Sequence, residues 1–344
     1  MLKASVTPYT LRFAFTARTS RETFTTKQTY FLDVFDTANP TCRGRGEVAV
    51  FPSLQPSFTD WQSFEALLNH VAAHINEYVS GAVELPCNSA IRFAVETAVA
   101  DLHNGGCGLV APGEQLQNIA EGVPINGLVW MDSPEKMEAQ IAEKIRAGFR
   151  CIKLKIGALD FDRELELIRS VRNTFNARQI ELRVDANGAF TAENVMARLD
   201  ALATLDLHSI EQPLPRDHAM MAQVCRQSPI PVALDEDMIE RWWTAEQKHD
   251  WLKKHLPHYI VLKPSLVGGF CQADEWIRVA RDLGVGWWCT SALESNVGLS
   301  AIAQWLSGHP ENLNIAHGLG TGQIYTNNLS GRTRLVGDKI FVEV

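Results

Sequence analysis

Cys151-Ile152-Lys153-Leu154-Lys155-Ile156-Gly157 reads as a buried strand that carries two lysines with one residue between them. Side chains alternate across a strand, so both ammonium groups emerge on one face. Two like charges side by side in a sheet interior are costly unless they serve a purpose. The pairing is expected to push one lysine toward its neutral form, and a neutral amine can take a proton. The segments on either side decide whether such chemistry fits.

The strands that follow end in charges of the opposite sign. Leu182-Arg183-Val184-Asp185-Ala186-Asn187 supplies Asp185, Ser209-Ile210-Glu211-Gln212-Pro213 supplies Glu211, and Val232-Ala233-Leu234-Asp235-Glu236 supplies Asp235. Val261-Leu262-Lys263-Pro264 then supplies Lys263. Taken singly, each charge reads as a solvated loop residue, and the lysine pair reads as the open edge of a sheet. Their order, one strand per strand–helix unit, argues for a common purpose. Strand patterns fall at residues 127–131, 151–157, 180–185, 208–212, 231–235, 259–264, 286–290 and 312–316, with a helical pattern between each pair. Helices are expected over residues 133–149 and 162–175, for example. Eight strands alternating with helices fit either an open doubly wound sheet or a closed (β/α) barrel. No Gly-x-Gly-x-x-Gly follows the first strand, which removes the main support for the open dinucleotide-binding form. In a barrel the C-terminal strand ends meet around one mouth. Asp185, Glu211 and Asp235 would converge there, and three carboxylates cannot all stay ionised together without a cation. All-oxygen ligation suits Mg²⁺.

The first part of the chain differs. Strands are expected near residues 11–17, 29–34 and 46–51, with Asn39-Pro40-Thr41-Cys42-Arg43-Gly44-Arg45-Gly46 as a turn, and helices near 60–79 and 89–103. The Gly/Pro-rich stretch 104–124 reads as the exit from this α+β unit, and residues 332–344 as a strand returning to it. With 46% apolar and 21% charged residues, the chain has the composition of an ordinary globular protein. A formal charge of −8 argues against nucleic-acid or anionic-membrane partners. No stretch approaches the roughly 20 apolar residues that span a bilayer, and no apolar run follows Lys3, so no secretory signal is expected. The seven cysteines form no Cys-x-x-Cys pair, so buried free thiols in a reducing cytoplasm are expected.

Lys153-Leu154-Lys155, Val184-Asp185-Ala186-Asn187, Ile210-Glu211-Gln212-Pro213, Leu234-Asp235-Glu236 and Lys263-Pro264-Ser265 together resemble the enolase superfamily, in its muconate-lactonizing-enzyme-like branch. The resemblance covers nearly the whole chain. It implies an α/β fold, a modified (β/α)7β TIM-type barrel over residues 124–320. It also implies an α+β capping domain, residues 1–123, to which residues 321–344 return. Asp185, Glu211 and Asp235 would hold Mg²⁺, with Mn²⁺ a possible substitute. Lys155 and Lys263 would face the substrate carbon from opposite sides, and Lys153 and the metal would depress the pKa of Lys155. A proton beside a carboxylate is too weak an acid for a free amine at neutral pH; a divalent cation on the carboxylate stabilises the enediolate that forms.

Among the sub-families that share this frame, the segments Lys263-Pro264-Ser265-Leu266-Val267-Gly268-Gly269, Ser291-Ala292-Leu293-Glu294-Ser295 and Asp185-Ala186-Asn187-Gly188-Ala189-Phe190 are most similar to the o-succinylbenzoate synthases. That implies syn dehydration of a small carboxylate substrate, 2-succinyl-6-hydroxy-2,4-cyclohexadiene-1-carboxylate, in menaquinone biosynthesis. Lys155 would remove the proton and return it to the departing hydroxyl, Lys263 would stabilise the ring by a cation–π contact, and Lys153 would bond the substrate carboxylate. Candidate substrate contacts are Arg183, Asn187, Ser291 and Glu294. Arg183 shares the inward parity of Asp185, so it either orients substrate or forms an ion pair inside the barrel. The loop 291–296 either offers N–H groups to a carboxylate or caps the helix at 297–305. The cap would read the succinyl tail, with candidates at 19–25 and 43–46. The last strand, Asn314-Ile315-Ala316-His317-Gly318-Leu319, lacks the Asp-x-Asp of dipeptide epimerases, and Leu266 stands where racemising relatives often carry Arg. An epimerase or N-succinylamino acid racemase is the alternative activity, and a non-catalytic binding barrel the alternative class. Oligomeric state stays open.

Overall fold

β1 (Leu2–Arg18), β2 (Thr23–Asp36) and β3 (Asn39–Val48) form an antiparallel meander in the order β1-β2-β3. The computed structural model describes residues 1–18 and 22–343. Of the expected substrate segment 19–25, Thr19, Ser20 and Arg21 lie outside the described residues. Tyr30, Leu32 and Val34, at alternate positions of β2, pack on Phe64 and Leu68 of the helix Trp61–Ala73 and on Ile91, Ala94 and Ala98 of the helix Ser89–His103. The single helix expected over 60–79 breaks at His74 into two, Trp61–Ala73 and Ile75–Val79.

The stretch 39–46, expected as a turn, is instead the body of β3, and the turn falls at Thr37 and Ala38. Its glycines answer a packing demand. A Cβ on Gly44 would lie 1.9 Å from the carbonyl oxygen of Ala98, and one on Gly46 2.0 Å from that of Ala94. The helix backbone presses directly onto β3, and only glycine leaves the room.

After the short strand β4 (Val123–Pro124), seven parallel strands follow in chain order: β5 (Gly127–Val129), β6 (Cys151–Lys155), β7 (Glu181–Asp185), β8 (Ser209–Glu211), β9 (Val232–Leu234), β10 (Tyr259–Leu262) and β11 (Gly286–Cys289). Each is hydrogen-bonded to its sequence neighbours. They are short and mostly buried, as parallel strands covered on both faces are. Helices cover the outside; in Phe270–Asp282 the buried Ala273, Trp276, Ile277 and Ala280 recur at helical spacing.

The eighth strand is not the regular one expected over 312–316. Asn312 ends a 3₁₀ turn, and closure comes just beyond the expected segment, through bridges of His317 to Ile125 and of Gly318 to Thr290. The N–H of Gly318 donates to the Cys289 carbonyl at 2.7 Å and that of Asn126 to the His317 carbonyl at 2.9 Å. His317 is itself buried. Its ring takes the Cys289 N–H and reaches the Asn312 carbonyl, and burial pushes its pKa down to about 3, so it is a neutral structural group.

The C-terminal strands β12 (Thr333–Val336) and β13 (Lys339–Val342) pair with each other and β13 pairs with β4, none of them with the meander. The return to the first sheet is made earlier. The N–H of Ala14 donates to the Ile324 carbonyl at 2.8 Å, and that of Thr326 donates to the Arg12 carbonyl at 2.9 Å.

Three carboxylates, Glu47 and Glu240 buried and Glu96 partly buried, fasten the two parts, each at the start of a helix in the other part, where free N–H groups favour an anion. Glu47 of β3 accepts from Ser295 and Gly298 at the barrel helix Asn296–Trp305. Glu96 accepts from Phe270 and Cys271 at the barrel helix Phe270–Asp282. In the reverse direction, Glu240 accepts from the N–H and hydroxyl of Ser89, the first residue of Ser89–His103. All seven cysteines are free, but Cys87, Cys107 and Cys271 are exposed and Cys42 half-buried, contrary to the expectation of buried thiols. Among the described residues no helix is long and apolar enough to cross a membrane.

Candidate active site

The register of the barrel strands sets one charged layer at their C-terminal ends. Lys155 pairs across to Asp185, and Asp185 across to Glu211. Asp235 follows one residue beyond β9, and Lys263 one residue beyond β10. The two lysines of β6 therefore do share a face, and that face meets carboxylates. Lys155 Nζ donates to Asp185 at 2.6 Å and to Asn187 Oδ1 at 2.8 Å. Lys153 Nζ lies 2.5 Å from Glu211 and 2.9 Å from Asp185. Lys263 pairs with Asp235.

The charges are strongly coupled. Burial works against the charge of Lys153, but Asp185, Glu211 and Asp235 outweigh it and raise its pKa. Lys153 is thus held as an ammonium. Lys263 is likewise raised against its burial, by Asp235, Glu236 and Glu211. Asp185 is buried too, yet Lys153 and Lys155 hold it well below the usual carboxylate range. Glu211 carries the burden: burial and the charge of Asp185 push it up to about 8. Too much negative charge is gathered here for the lysines alone to neutralise in full.

The donor chemistry fits a hard divalent cation. Glu211 Oε2 and Asp235 Oδ1 are buried without a hydrogen-bond partner among the described residues, and a buried carboxylate oxygen left unmatched is costly. As they stand, no three carboxylates among the described residues converge into a closed metal cage; each is turned to a lysine ammonium. Asp185, Glu211 and Asp235 are the residues that would hold the ion, the lysines bonding Glu211 Oε1 and Asp235 Oδ2 and leaving Glu211 Oε2 and Asp235 Oδ1 for it.

A cavity of about 950 Å³ opens above this layer. Lys153, Lys155, Lys263, Asn187 and Ser291 line it, so of the four expected substrate contacts two reach it. Arg183 does not. It is 1% exposed, stacks 4.3 Å from the Trp288 ring centroid, and donates to Glu181 and to the Ala316 carbonyl. Its parity is inward, but one layer below the mouth. Glu294 does not line the cavity either. It is fully buried, accepting from the Ser265 hydroxyl and from the Ala292 N–H. The loop N–H groups expected to bind a carboxylate are used internally at Ser291, Ala292 and Ser295, and Ser295 caps the following helix through Val297. In the cap segment 43–46, Gly44 and Gly46 are buried against Ser89–His103 and Arg43 and Arg45 are exposed; none of the four lines the cavity, which the cap reaches through Phe15, Phe24, Phe51 and Leu54.

Residues 136–337 match the family model described as enolase C-terminal domain-like. The chain belongs to the enolase superfamily. It is 44% identical over 281 residues to the o-succinylbenzoate synthase of Desulfotalea psychrophila, covering 81% of this chain and 74% of that one. The crystal structure of MenC from the same organism superposes with a TM-score of 0.80 at 35% identity over 99% of both chains. A substrate-liganded L-Ala-D/L-Glu epimerase from Bacillus subtilis shares the fold, with a TM-score of 0.83 at 19% identity over 99% of this chain and 95% of that one. Within the enolase superfamily the chain therefore falls with the o-succinylbenzoate synthases, which are lyases, and the dipeptide epimerases form the alternative branch.

Two features of this enolase-superfamily site were not read from the sequence. Glu236, next to Asp235, lines the cavity and accepts from Asn187 Nδ2 at 3.1 Å; two adjacent acids at one strand end were the available signal. Gln212 is fully buried at φ 41° and bridges two strand ends, accepting from the Asp235 N–H and donating to Asp237. A non-glycine residue in the left-handed region is strained, and no sequence pattern announces it.

Proposed function

We propose that this protein is a Mg²⁺-dependent o-succinylbenzoate synthase, converting 2-succinyl-6-hydroxy-2,4-cyclohexadiene-1-carboxylate to o-succinylbenzoate and water, in menaquinone biosynthesis in the cytoplasm. The observation that carries the reading is the meeting of Lys155, Lys263 and Lys153 at one cavity floor, directly over buried carboxylate oxygens that lack partners. A divalent cation held by Asp185, Glu211 and Asp235 supplies positive charge at the substrate carboxylate and makes the neighbouring C–H acidic; Mn²⁺ would serve in place of Mg²⁺.

Lys153, whose carboxylate neighbours keep it protonated, binds the substrate carboxylate and sets a like charge beside Lys155. Lys155, held by Asp185 with its nitrogen on the cavity, is the group that works as a base. Asn187 Oδ1 holds the Lys155 nitrogen in position. Lys155 takes the proton from the carbon beside the carboxylate. The electron pair left behind forms the new ring double bond as the C–O bond breaks, and the same proton leaves with the hydroxyl as water. One base suffices because both groups depart from one face. Lys263, on the other side, keeps its charge and stabilises the electron-rich ring.

Apolar and aromatic side chains, among them Phe15, Phe24, Phe51 and Trp130, close the cavity from above and exclude water from the reacting carbon. Purified protein with Mg²⁺ and the cyclohexadiene substrate should lose diene absorbance; absence of turnover sinks the reading. The placement of Lys155 and Lys263 on one cavity also suits a two-base racemase, and deuterium exchange at the α-carbon of an N-succinylamino acid or dipeptide panel tests that second activity.

A further inference from the structure

Glu240 does more than fasten the cap. It is 6% exposed and lies two residues beyond the 3₁₀ turn Glu236–Met238, which starts from Asp235. Its backbone is left-handed, at φ 47°. A non-glycine residue keeps that conformation at a cost, and only where its surroundings over-determine it. Two segments of the cap and one of the barrel do so here. The first is the cap loop 51–57, of which Phe51, Ser53 and Leu54 line the cavity. Ser57 donates its N–H to Glu240 Oε2 at 2.8 Å and its hydroxyl to Oε1 at 2.7 Å. The second is the start of the helix Ser89–His103, where Ser89 donates its N–H at 3.0 Å and its hydroxyl at 2.8 Å, both to Oε1. Two further donors stand behind these hydroxyls. Asn88 donates to the Ser57 oxygen at 3.0 Å. Gln55 donates to the Ser89 oxygen at 2.8 Å and takes the N–H of Phe51 at 2.6 Å. The hydroxyl protons of both serines run toward the carboxylate, and bonds chained in this way strengthen one another.

The third segment carries Lys263. The N–H of Glu240 donates to the Leu266 carbonyl at 3.0 Å, and the N–H of Leu266 donates to the Lys263 carbonyl at 2.8 Å. On the other side, the N–H of Met238 closes the turn onto the Asp235 carbonyl at 2.9 Å. Glu240 is thus two hydrogen bonds from Lys263 and one short turn from Asp235. Ile239 and Leu266 pack with Phe51 in one buried apolar cluster, so burial joins the same cap loop to the same barrel ends.

We propose that Glu240 is a positioning residue: it locks the cap loop 51–57, which closes the cavity, to the barrel ends that carry Asp235 and Lys263. The cover over the substrate and the groups beneath it are thereby held in one register by a single strained side chain.

Only the kinetic half of the test rests on the proposed dehydration. Glu240→Gln keeps the size of the side chain but sets an amide donor among groups that themselves donate, and a buried donor without an acceptor is costly. Hydrogen–deuterium exchange, read on the full chain without substrate, should rise at least tenfold in the cap peptide 51–58 and in the barrel peptide 263–270. Faster exchange confined to the cap, or unchanged exchange in both, overturns the proposal. With Mg²⁺ and the cyclohexadiene substrate both saturating, kcat should fall at least tenfold. A merely structural fastener would lower the melting temperature and leave kcat at 25 °C unchanged. Glu96→Gln supplies that comparison, because Glu96 bonds Phe270 and Cys271, none of which lines the cavity; its kcat should stay within twofold of wild type. A wild-type kcat in Glu240→Gln, or an equal loss in Glu96→Gln, overturns the proposal. If Glu240→Gln does not fold, Ser57→Ala carries the test, and wild-type exchange at 263–270 with wild-type kcat in that variant overturns the proposal. A wild-type protein inactive on the diene overturns the dehydration instead, and the exchange at 263–270 still decides Glu240.

Discussion

The ammonium of Lys155 is shared between Asp185 Oδ2 at 2.6 Å and Asn187 Oδ1 at 2.8 Å. Those two residues stand at the end of the neighbouring strand, and Asn187 turns there at φ 44°. A carboxylate proposed as a metal ligand and an amide thus aim one amine at the cavity.

From this geometry, Lys155→Ala should abolish turnover while leaving the barrel folded. Loss of a positioned base usually costs about 10²–10⁴-fold; a loss beyond 10³ in kcat is expected, with Mg²⁺ affinity by calorimetry kept within a few-fold. Substantial residual turnover would assign the base role elsewhere.

Chelation with EDTA should remove activity, and Mg²⁺ should restore it. Glu211→Gln replaces a carboxylate whose Oε2 has no partner with a weaker donor. Calorimetry is expected to show Mg²⁺ affinity at least tenfold lower, and circular dichroism an intact fold.

Arg183→Met should affect stability rather than substrate binding. The guanidinium lies among Trp288, Glu181 and the Ala316 carbonyl, away from the cavity. Glu181 is partly exposed, so the cost is discounted to about 1–3 kcal/mol. KM should stay within twofold of wild type; a KM rise of tenfold would return Arg183 to the substrate.

Gly46→Ala should weaken the cap. The added methyl would sit 2.0 Å from the Ala94 carbonyl oxygen, so sheet and helix must separate. About 1–3 kcal/mol is the usual cost of such overpacking, read as a lower midpoint in urea. Gly81→Ala, where nothing lies within 4 Å of the new Cβ, is an unsuitable control because its φ is +76°; Gly113→Ala is open on both counts.

Glu96 gives a pH signature. Burial pushes its carboxyl up to about 7 from 4.5, against the pull of the Phe270 and Cys271 N–H groups; Asp274 raises it further and Arg92 lowers it, and the Cys271 thiol and Glu275 lie on the same facing helix. The native state binds this proton more tightly than the unfolded chain, so the group's contribution to stability is full below pH 4.5 and is lost as pH rises through about 7. Relative to Glu96→Gln, wild-type stability should fall by on the order of 2–3 kcal/mol between about pH 4.5 and 8. Denaturant titrations of both proteins across that range check it, and parallel curves would refute it.

Much of the site was legible because strand parity is rigid. Lys153 and Lys155, and then Asp185, Glu211, Asp235 and Lys263, each close a strand one unit further along, and parallel pairing leaves little freedom in where such ends meet. Arg183 marks the limit of parity, which fixes the direction of a side chain but not its layer. Glu294 marks another: its partner Ser265 is far away in sequence, so nothing local separates a buried anchor from a substrate contact. The 39–46 stretch failed for a related reason. Glycine permits a turn and permits close packing, and only the helix arriving at Ala94 and Ala98 distinguishes the two.

The sequence by itself determined the alternation of strands and helices and the order of the charged residues, because periodicity and charge order are local properties of the chain; the superfamily came from the resemblance of those segments to known ones. Tertiary structure alone decided which charges pair, that Lys153 rather than Lys155 is bound as an ammonium to two carboxylates, and which carboxylate oxygens lack a partner. It also decided that the cap and barrel are fastened by Glu47, Glu96 and Glu240 at each other's helix ends. Burial and the distances between groups remote in sequence set the energies of those contacts, and neither exists until the chain has folded.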